Sequence, residues 1–217
     1  MTATFTPQNS VLILIDHQVG KMQLVRNIEA ELTKKMSIVL AQAARILDIP
    51  TIFTTNLESG VQGPLLPELA DIHPDAHKAR IAREGVVNAW LEPGFRAAIE
   101  AAGRPNLIMA GVTTDTCLVF SAVAAAREGY PVQAVMDASG SPFALSEDLS
   151  RRRMQEAGVV LTATNTLIAE LAANWSTPLG QQLIELLFAE VLPPMRRQRR
   201  QPLVKRYAPK TRLATAD

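Results

Sequence analysis

The sequence predicts a doubly wound α/β domain, a six-stranded parallel sheet with helices on both faces. Three observations carry that expectation. Val11–Ile15, Asn106–Val112 and Val132–Met136 are short, nearly continuous apolar runs rich in β-branched residues. Such runs suit strands buried on both faces, as in a parallel sheet. Between the runs, apolar residues recur at helical spacing. Strand and helix signals then alternate along the chain, which is the order that builds βαβ units with right-handed crossovers.

Val11–Ile15 is the first strand and ends at Asp16, followed by His17, Gln18, Val19 and Gly20. Open α/β sheets place functional groups just past the carboxyl ends of their central strands, so Asp16 is a candidate. Ile28, Leu32, Met36, Val39, Leu40, Ala43 and Leu47 mark a helix. Pro50 precedes the second strand, Thr51–Thr55. Residues 56–78 hold Gly60, Gly63, Pro64, Pro67 and Pro74 and read as a loop with a short helical turn near Pro67. His73 and His77 stand four apart, but Pro74 between them argues against a shared helix face, so surface or interface histidines are expected rather than metal ligands.

Ala79–Arg83 is a brief strand, closed by Glu84-Gly85. A helix runs from Pro93 to Ala102 and stops at Gly103. The fourth strand, Asn106–Val112, leads through Thr113-Thr114-Asp115-Thr116 to Cys117 and an alanine-rich helix ending near Glu128. Val132–Met136 is the fifth strand. A helix from Ser146 to Ala157 has Ser146 as its expected cap. Val159–Thr162 is the sixth strand, and Thr166–Ala173 the last core helix. Leu179–Val191 is an amphipathic helix before an irregular basic tail. The expected division is a domain over 1–175 and a C-terminal helix and tail over 176–217 that serve oligomer contacts.

The chain has 217 residues and is 47% hydrophobic, enough for one sizeable core. No apolar run is long enough to span a bilayer, and the first residues lack a signal-peptide pattern. With one cysteine there is no internal disulfide and no cysteine-based zinc cage, so a reducing cytoplasm is the expected compartment. The net charge of +1 hides an asymmetry. Residues 196–217 hold eight Lys/Arg against Asp217, a net +7, leaving 14 basic and 20 acidic residues before them. A nucleic-acid role for that tail has no recognised module to support it. Contact with an acidic neighbouring subunit is the alternative.

Cys117 lies where a helix begins. Unpaired backbone N–H groups and the positive end of the helix dipole favour thiolate there, which makes Cys117 a candidate nucleophile. Asp16 and Cys117 follow strands that can lie side by side, and Arg83 follows a third. A Cys/Asp/basic arrangement is more economical than one using His17, whose side chain is expected to point away from Asp16's crevice.

The chain resembles the isochorismatase-like cysteine hydrolases, most closely their YcaC-like branch. The resemblance rests on Ile15-Asp16-His17-Gln18, Gly63-Pro64-Leu65, Ile81-Ala82-Arg83 with Gly85, Asn88-Ala89-Trp90, Ala110-Gly111-Val112-Thr113-Thr114-Asp115-Thr116-Cys117 and Asp137-Ala138-Ser139-Gly140, in family order. It implies a three-layer αβα fold and a triad of Asp16, Arg83 and Cys117. It also implies a cis peptide at Val112–Thr113, with the backbone N–H groups of Thr113 and Cys117 as an oxyanion hole. Gln18, Asn88 and Trp90 are the candidates for a substrate pocket. The implied chemistry is metal-independent hydrolysis of a small amide or related C–N bond through a thioester on Cys117, without cofactor, in a homo-oligomer that could be an octamer. The alternative is a catalytically silent family member acting as a thiol- or redox-responsive or binding oligomer. Much of the family carries Lys where this chain has Arg83. The histidine that nicotinamidases use for zinc is replaced by Gln18.

Overall fold

In the computed structural model, which describes residues 4–195, six parallel strands form one sheet in the order β3-β2-β1-β4-β5-β6. The strands are β1 (Ser10–Ile15), β2 (Thr51–Asn56), β3 (Ile81–Arg83), β4 (Asn106–Gly111), β5 (Val132–Val135) and β6 (Val160–Thr162). The helices are α1 (Val19–Met22), α2 (Ala30–Ile46), α3 (Pro67–Ile72), α4 (Pro74–Lys78), α5 (Pro93–Ala102), α6 (Val119–Arg127), α7 (Ala144–Glu156), α8 (Thr164–Ala172) and α9 (Pro178–Glu190). The expected fold class is the observed one.

β1 and β4 are fully buried along their length, which is why both read as uninterrupted apolar runs. Their alternate residues feed two cores. Leu12, Leu14, Ile108 and Ala110 pack with residues of α2, α3, α8 and α9, whereas Val11, Ile13, Ile15, Leu107 and Met109 pack with α5 and α6. Leu183 and Leu187 of α9 are buried in the first of these cores, so α9 is packed with the sheet domain. The basic tail of 196–217 lies outside the described residues.

Strand order reverses between β1 and β4, whose register pairs Ile15 with Gly111. A doubly wound sheet opens a crevice at such a switch point. Gly111 suits the close approach there, because a Cβ would sit 3.0 Å from the Leu118 Cβ and 3.3 Å from the Ile15 Cβ, tighter than ordinary contact. Its absence lets the turn after β4 fold down onto the sheet edge. The Ser139 hydroxyl fixes the same point, accepting from Gly111 N–H (3.0 Å) and donating to Val135 O (2.8 Å).

Three local expectations need correction. Cys117 does not start an α-helix: Thr114–Leu118 is a π turn that precedes α6. Ser146 lies inside α7, where its hydroxyl bonds Asp115 Oδ2 (2.7 Å) and Phe143 O (3.1 Å); Phe143 occupies the cap position. His73 ends α3 and is buried, bonded through Nε2 to Ala41 O (2.9 Å), because Pro74 breaks the helix and turns the ring inward.

Candidate active site

Asp16 follows β1 directly and has φ +58°, left-handed backbone that few residues other than glycine adopt. Aspartate is among the residues that tolerate it best, and such strain concentrates at functional positions. The reversal is closed by Gln18 N–H donating to Asp16 O (2.7 Å), and it sends the chain into α1. Lys21, five residues on, thereby comes back over the carboxylate.

Asp16 is fully buried and held by two cations. Arg83 Nη2 bonds Oδ1, and Lys21 Nζ donates to Oδ2 at 2.9 Å. The same Lys21 Nζ lies 3.0 Å from Cys117 Sγ. Sequence-predicted Asp16, Arg83 and Cys117 are therefore brought to one place, but the cation against the thiol is Lys21. Arg83 touches only the carboxylate side. Its Nε donates to Thr54 Oγ1 (2.9 Å) and its Nη1 to Val86 O and to Val87 O (3.2 Å). Lys21 had no signal of its own in the sequence. Only the left-handed turn at Asp16 makes a lysine at that spacing a neighbour of the carboxylate.

Burial pushes the Cys117 thiol above the ordinary range, and the Asp16 carboxylate pushes the same way. The Lys21 ammonium and the Thr116 hydroxyl, 3.4 Å from Sγ, oppose this without overcoming it. Desolvation in this buried turn thus works against the thiolate that a helix start was expected to favour. Burial alone would lower the Lys21 ammonium, but Asp16 and Cys117 together hold it above its usual value. His17 is lowered to about 4 by burial. Its Nε2 meets Ala138 O at 2.9 Å, so it belongs to the packing behind the site.

The turn's main chain is already engaged. The N–H groups of Thr116, Cys117 and Leu118 converge on Thr113 O at 3.4, 3.0 and 3.2 Å, and Thr114 N–H donates to Gly140 O at 2.8 Å. The Val112–Thr113 peptide is cis. Ser141 ties the surroundings together: its hydroxyl accepts from Asp115 N–H (3.2 Å) and donates to buried Glu147 (2.7 Å), and its carbonyl accepts from Arg26 N–H (3.0 Å).

Of the three expected pocket residues, Asn88 is linked to the Cys117 main chain through Ser121. Its Oδ1 caps the short turn Ala89–Leu91 by accepting from Trp90 N–H (3.1 Å) and receives Ser121 Oγ (3.3 Å), which also donates to Cys117 O (2.9 Å). Gln18 is a backbone clamp instead. Its amide accepts from Asn56 N–H (2.9 Å) and donates to Asn56 O (3.0 Å) and Gly63 O, so both amide protons are committed to main chain. Trp90 is buried with Tyr130 and Phe95, and its Nε1 donates to Glu128 Oε1 (2.8 Å) at the C-terminal cap of α6, the end opposite Cys117. Among the described residues no group of three or more His, Cys, Asp or Glu is disposed to hold a metal.

A cleft of about 310 Å³ opens beside Lys21, between α1 and the loop before α3. Gly20 forms its floor. A Cβ there would lie 2.0 Å from Val61 O, and Gly20 N–H donates to Gln62 O (2.9 Å), so α1 and the loop are pressed main chain to main chain.

Comparison with known proteins fits this geometry. The Isochorismatase domain model matches residues 10–166. "Probable hydrolase YcaC" of Escherichia coli K12 is 36% identical over 188 residues, 87% of this chain and 88% of that protein. Its crystal structure, described as an octameric hydrolase of unknown specificity, superposes with a TM-score of 0.84 over 88% of this chain and 92% of its own. YcaC from Pseudomonas aeruginosa, described with hexane-2,5-diol and covalent acrylamide, is 34% identical, with a TM-score of 0.84 over 88% of this chain and 93% of its own. With the switch-point sheet, the buried aspartate and the cysteine turn, these matches show that the chain belongs to the isochorismatase family of hydrolases.

Proposed function

We propose that the protein is a metal-independent cysteine hydrolase that cleaves a small amide or related C–N bond through a thioester on Cys117. The observation that carries this is Lys21 Nζ, 3.0 Å from Cys117 Sγ and 2.9 Å from Asp16 Oδ2, with Arg83 on the other carboxylate oxygen. The covalent acrylamide described for the Pseudomonas aeruginosa relative adds support, since acrylamide reacts with soft nucleophiles and Cys117 is the single cysteine of this chain.

Asp16 takes the thiol proton through Lys21, whose amine can pass a proton as a guanidinium cannot. The Cys117 thiolate attacks the carbonyl carbon, and the oxyanion is met by the N–H groups of Thr113 and Cys117. The latter swings off Thr113 O to do so. The C–N bond breaks as Asp16 returns the proton to the leaving amine. Water, deprotonated by Asp16, then hydrolyses the thioester and releases Cys117. Arg83 holds Asp16 in place throughout, a positioning role.

The test is amine release from a panel of small amides, with intact-mass detection of an acyl group on the protein. Turnover that disappears in Cys117→Ala, with an acyl adduct trapped on the native protein, is expected. No Cys117-dependent turnover, together with reversible oxidation of the thiol, would instead favour the thiol-responsive alternative. We further propose a homo-oligomer in a reducing compartment, with the 176–217 segment in its contacts. The octameric Escherichia coli relative supports the assembly, as do exposed Phe143, Leu145 and Leu149 on and beside α7.

A further inference from the structure

The turn that carries Cys117 holds a hydroxyl pair that the proposed mechanism leaves unused. Thr113 occupies the cap position of the π turn Thr114–Leu118, where a threonine hydroxyl ordinarily accepts from a free backbone N–H. Here it caps nothing, because the N–H groups of Thr116, Cys117 and Leu118 already go to Thr113 O. The Thr113 hydroxyl meets the Thr116 hydroxyl instead, at 2.7 Å, and Thr116 Oγ1 lies 3.4 Å from Cys117 Sγ. Among the described residues neither hydroxyl has a further protein partner. Buried Thr113, exposed Thr116 and the sulfur therefore form one chain that ends at the nucleophile. The sulfur's other polar neighbour is Lys21 Nζ at 3.0 Å, with Asp16 behind it. The remaining charged groups nearby are engaged elsewhere: Arg83 holds the other carboxylate oxygen of Asp16, Asp115 accepts from Ser146, and His17 meets Ala138 O.

Each hydroxyl carries one proton, so the chain has two directions. In one, Thr116 donates to Thr113 and offers the sulfur a lone pair, which suits a thiol. In the other, Thr113 donates to Thr116 and frees the Thr116 proton for the sulfur, which suits a thiolate. Rotation about two C–O bonds converts one into the other without moving a heavy atom. We propose that Thr116 is a catalytic residue whose hydroxyl donates to the Cys117 thiolate, and that Thr113 is the positioning residue that turns this proton towards the sulfur. The inference rests on the hydrolase reading only for the steps it serves. The same donor steadies the thiolate that attacks the carbonyl and the thiolate that leaves when the thioester is hydrolysed.

Thiolate formation is read from its ultraviolet absorbance, as the difference from Cys117→Ala, titrated against pH. The midpoint is expected to rise in Thr116→Val and to stay in place in Thr116→Ser, which keeps the hydroxyl. It should rise by less in Thr113→Val, which leaves the Thr116 proton free to turn either way. Iodoacetamide alkylation at neutral pH should slow about threefold in Thr116→Val, the loss of one modest hydrogen bond offset in part by a more nucleophilic sulfur, and match the native rate in Thr116→Ser. A midpoint unmoved in both valine variants overturns the proposal, as does one that Thr116→Ser shifts as far as Thr116→Val. Slower alkylation without a shifted midpoint marks a change of access and also overturns it. Amide turnover separates the donor from the hydrolase reading. Turnover that falls in Thr116→Val and is kept in Thr116→Ser, with the raised midpoint, supports the whole proposal. A raised midpoint with no Cys117-dependent turnover keeps the donor and rejects the hydrolase reading. Cys117-dependent turnover with an unmoved midpoint rejects the donor and keeps the hydrolase reading.

Discussion

Arg83 and Lys21 both pair with Asp16, yet they come from regions of different construction. Arg83 ends β3, its side chain fully buried and spread over Asp16, Thr54 and the carbonyls of Val86 and Val87. Lys21 sits on a four-residue helix at the edge of a cleft, its side chain 9% exposed, and bonds only the carboxylate and the thiol. One cation is anchored in the fold; the other faces the chemistry. A site that must hold a carboxylate still and also move a proton separates those tasks between a residue that cannot give up its proton and one that can.

The largest expected effect comes from removing what the two share. Asp16→Asn leaves two cations facing a buried neutral amide and should cost about 3–5 kcal/mol of stability in chemical denaturation. Because Asp16 raises the thiol, the same substitution should speed iodoacetamide alkylation of Cys117 while abolishing amide turnover. Alkylation that slows would break the assignment.

His17 sharpens the comparison from the other side, since it adjoins the carboxylate yet stays neutral. Its value is depressed from the usual 6.5 to about 4, so its contribution to stability is whole above the unfolded value and is lost as pH falls through about 4. Between pH 6.5 and 4 the protein should lose roughly 3 kcal/mol that a His17→Gln variant does not lose. Parallel pH profiles for the two proteins would refute this.

Arg83→Met should cost about 2–3 kcal/mol, since it breaks one of the two pairs on Asp16 and exposes the loop carbonyls it holds, while thiol alkylation shifts little. Lys21→Met should reverse that pattern. Stability should stay within about 1 kcal/mol, because a methionine fills the stem's place and Arg83 still neutralises Asp16. The thiol, losing the one charge that lowers it, should alkylate more slowly at neutral pH than in the native protein. Equal effects of the two substitutions on both readouts would erase the distinction between them.

How much of this was legible beforehand follows the range of each signal. β1 and β4 declare themselves because burial on both faces leaves no polar alternation, and Asp16 and Cys117 declare themselves by following such strands. Arg83 could be placed through its motif. Lys21 could not, because its position depends on a left-handed backbone at Asp16 that side-chain periodicity does not encode. Gln18 and Trp90 stand in the right motifs, but neighbours distant in sequence decide their work: Asn56 and Gly63 for one, Glu128 and Tyr130 for the other. The raised thiol was missed for a related reason. Dipole arguments read from a helix start assume solvent access, and burial at the foot of Gly111 removes it.

The shortness of α1 has a consequence for timing. Four residues do not make a helix that stands alone. This one is held by Val19 N–H on Pro64 O, Gly20 N–H on Gln62 O and the amide of Gln18 on Asn56 and Gly63. Lys21 keeps its place against the sulfur only while that loop stays docked. Amide exchange at Val19 and Gly20 and the pace of thiol chemistry therefore share one opening equilibrium, so a small molecule lodged between the loop and α1 slows the first as it tunes the second.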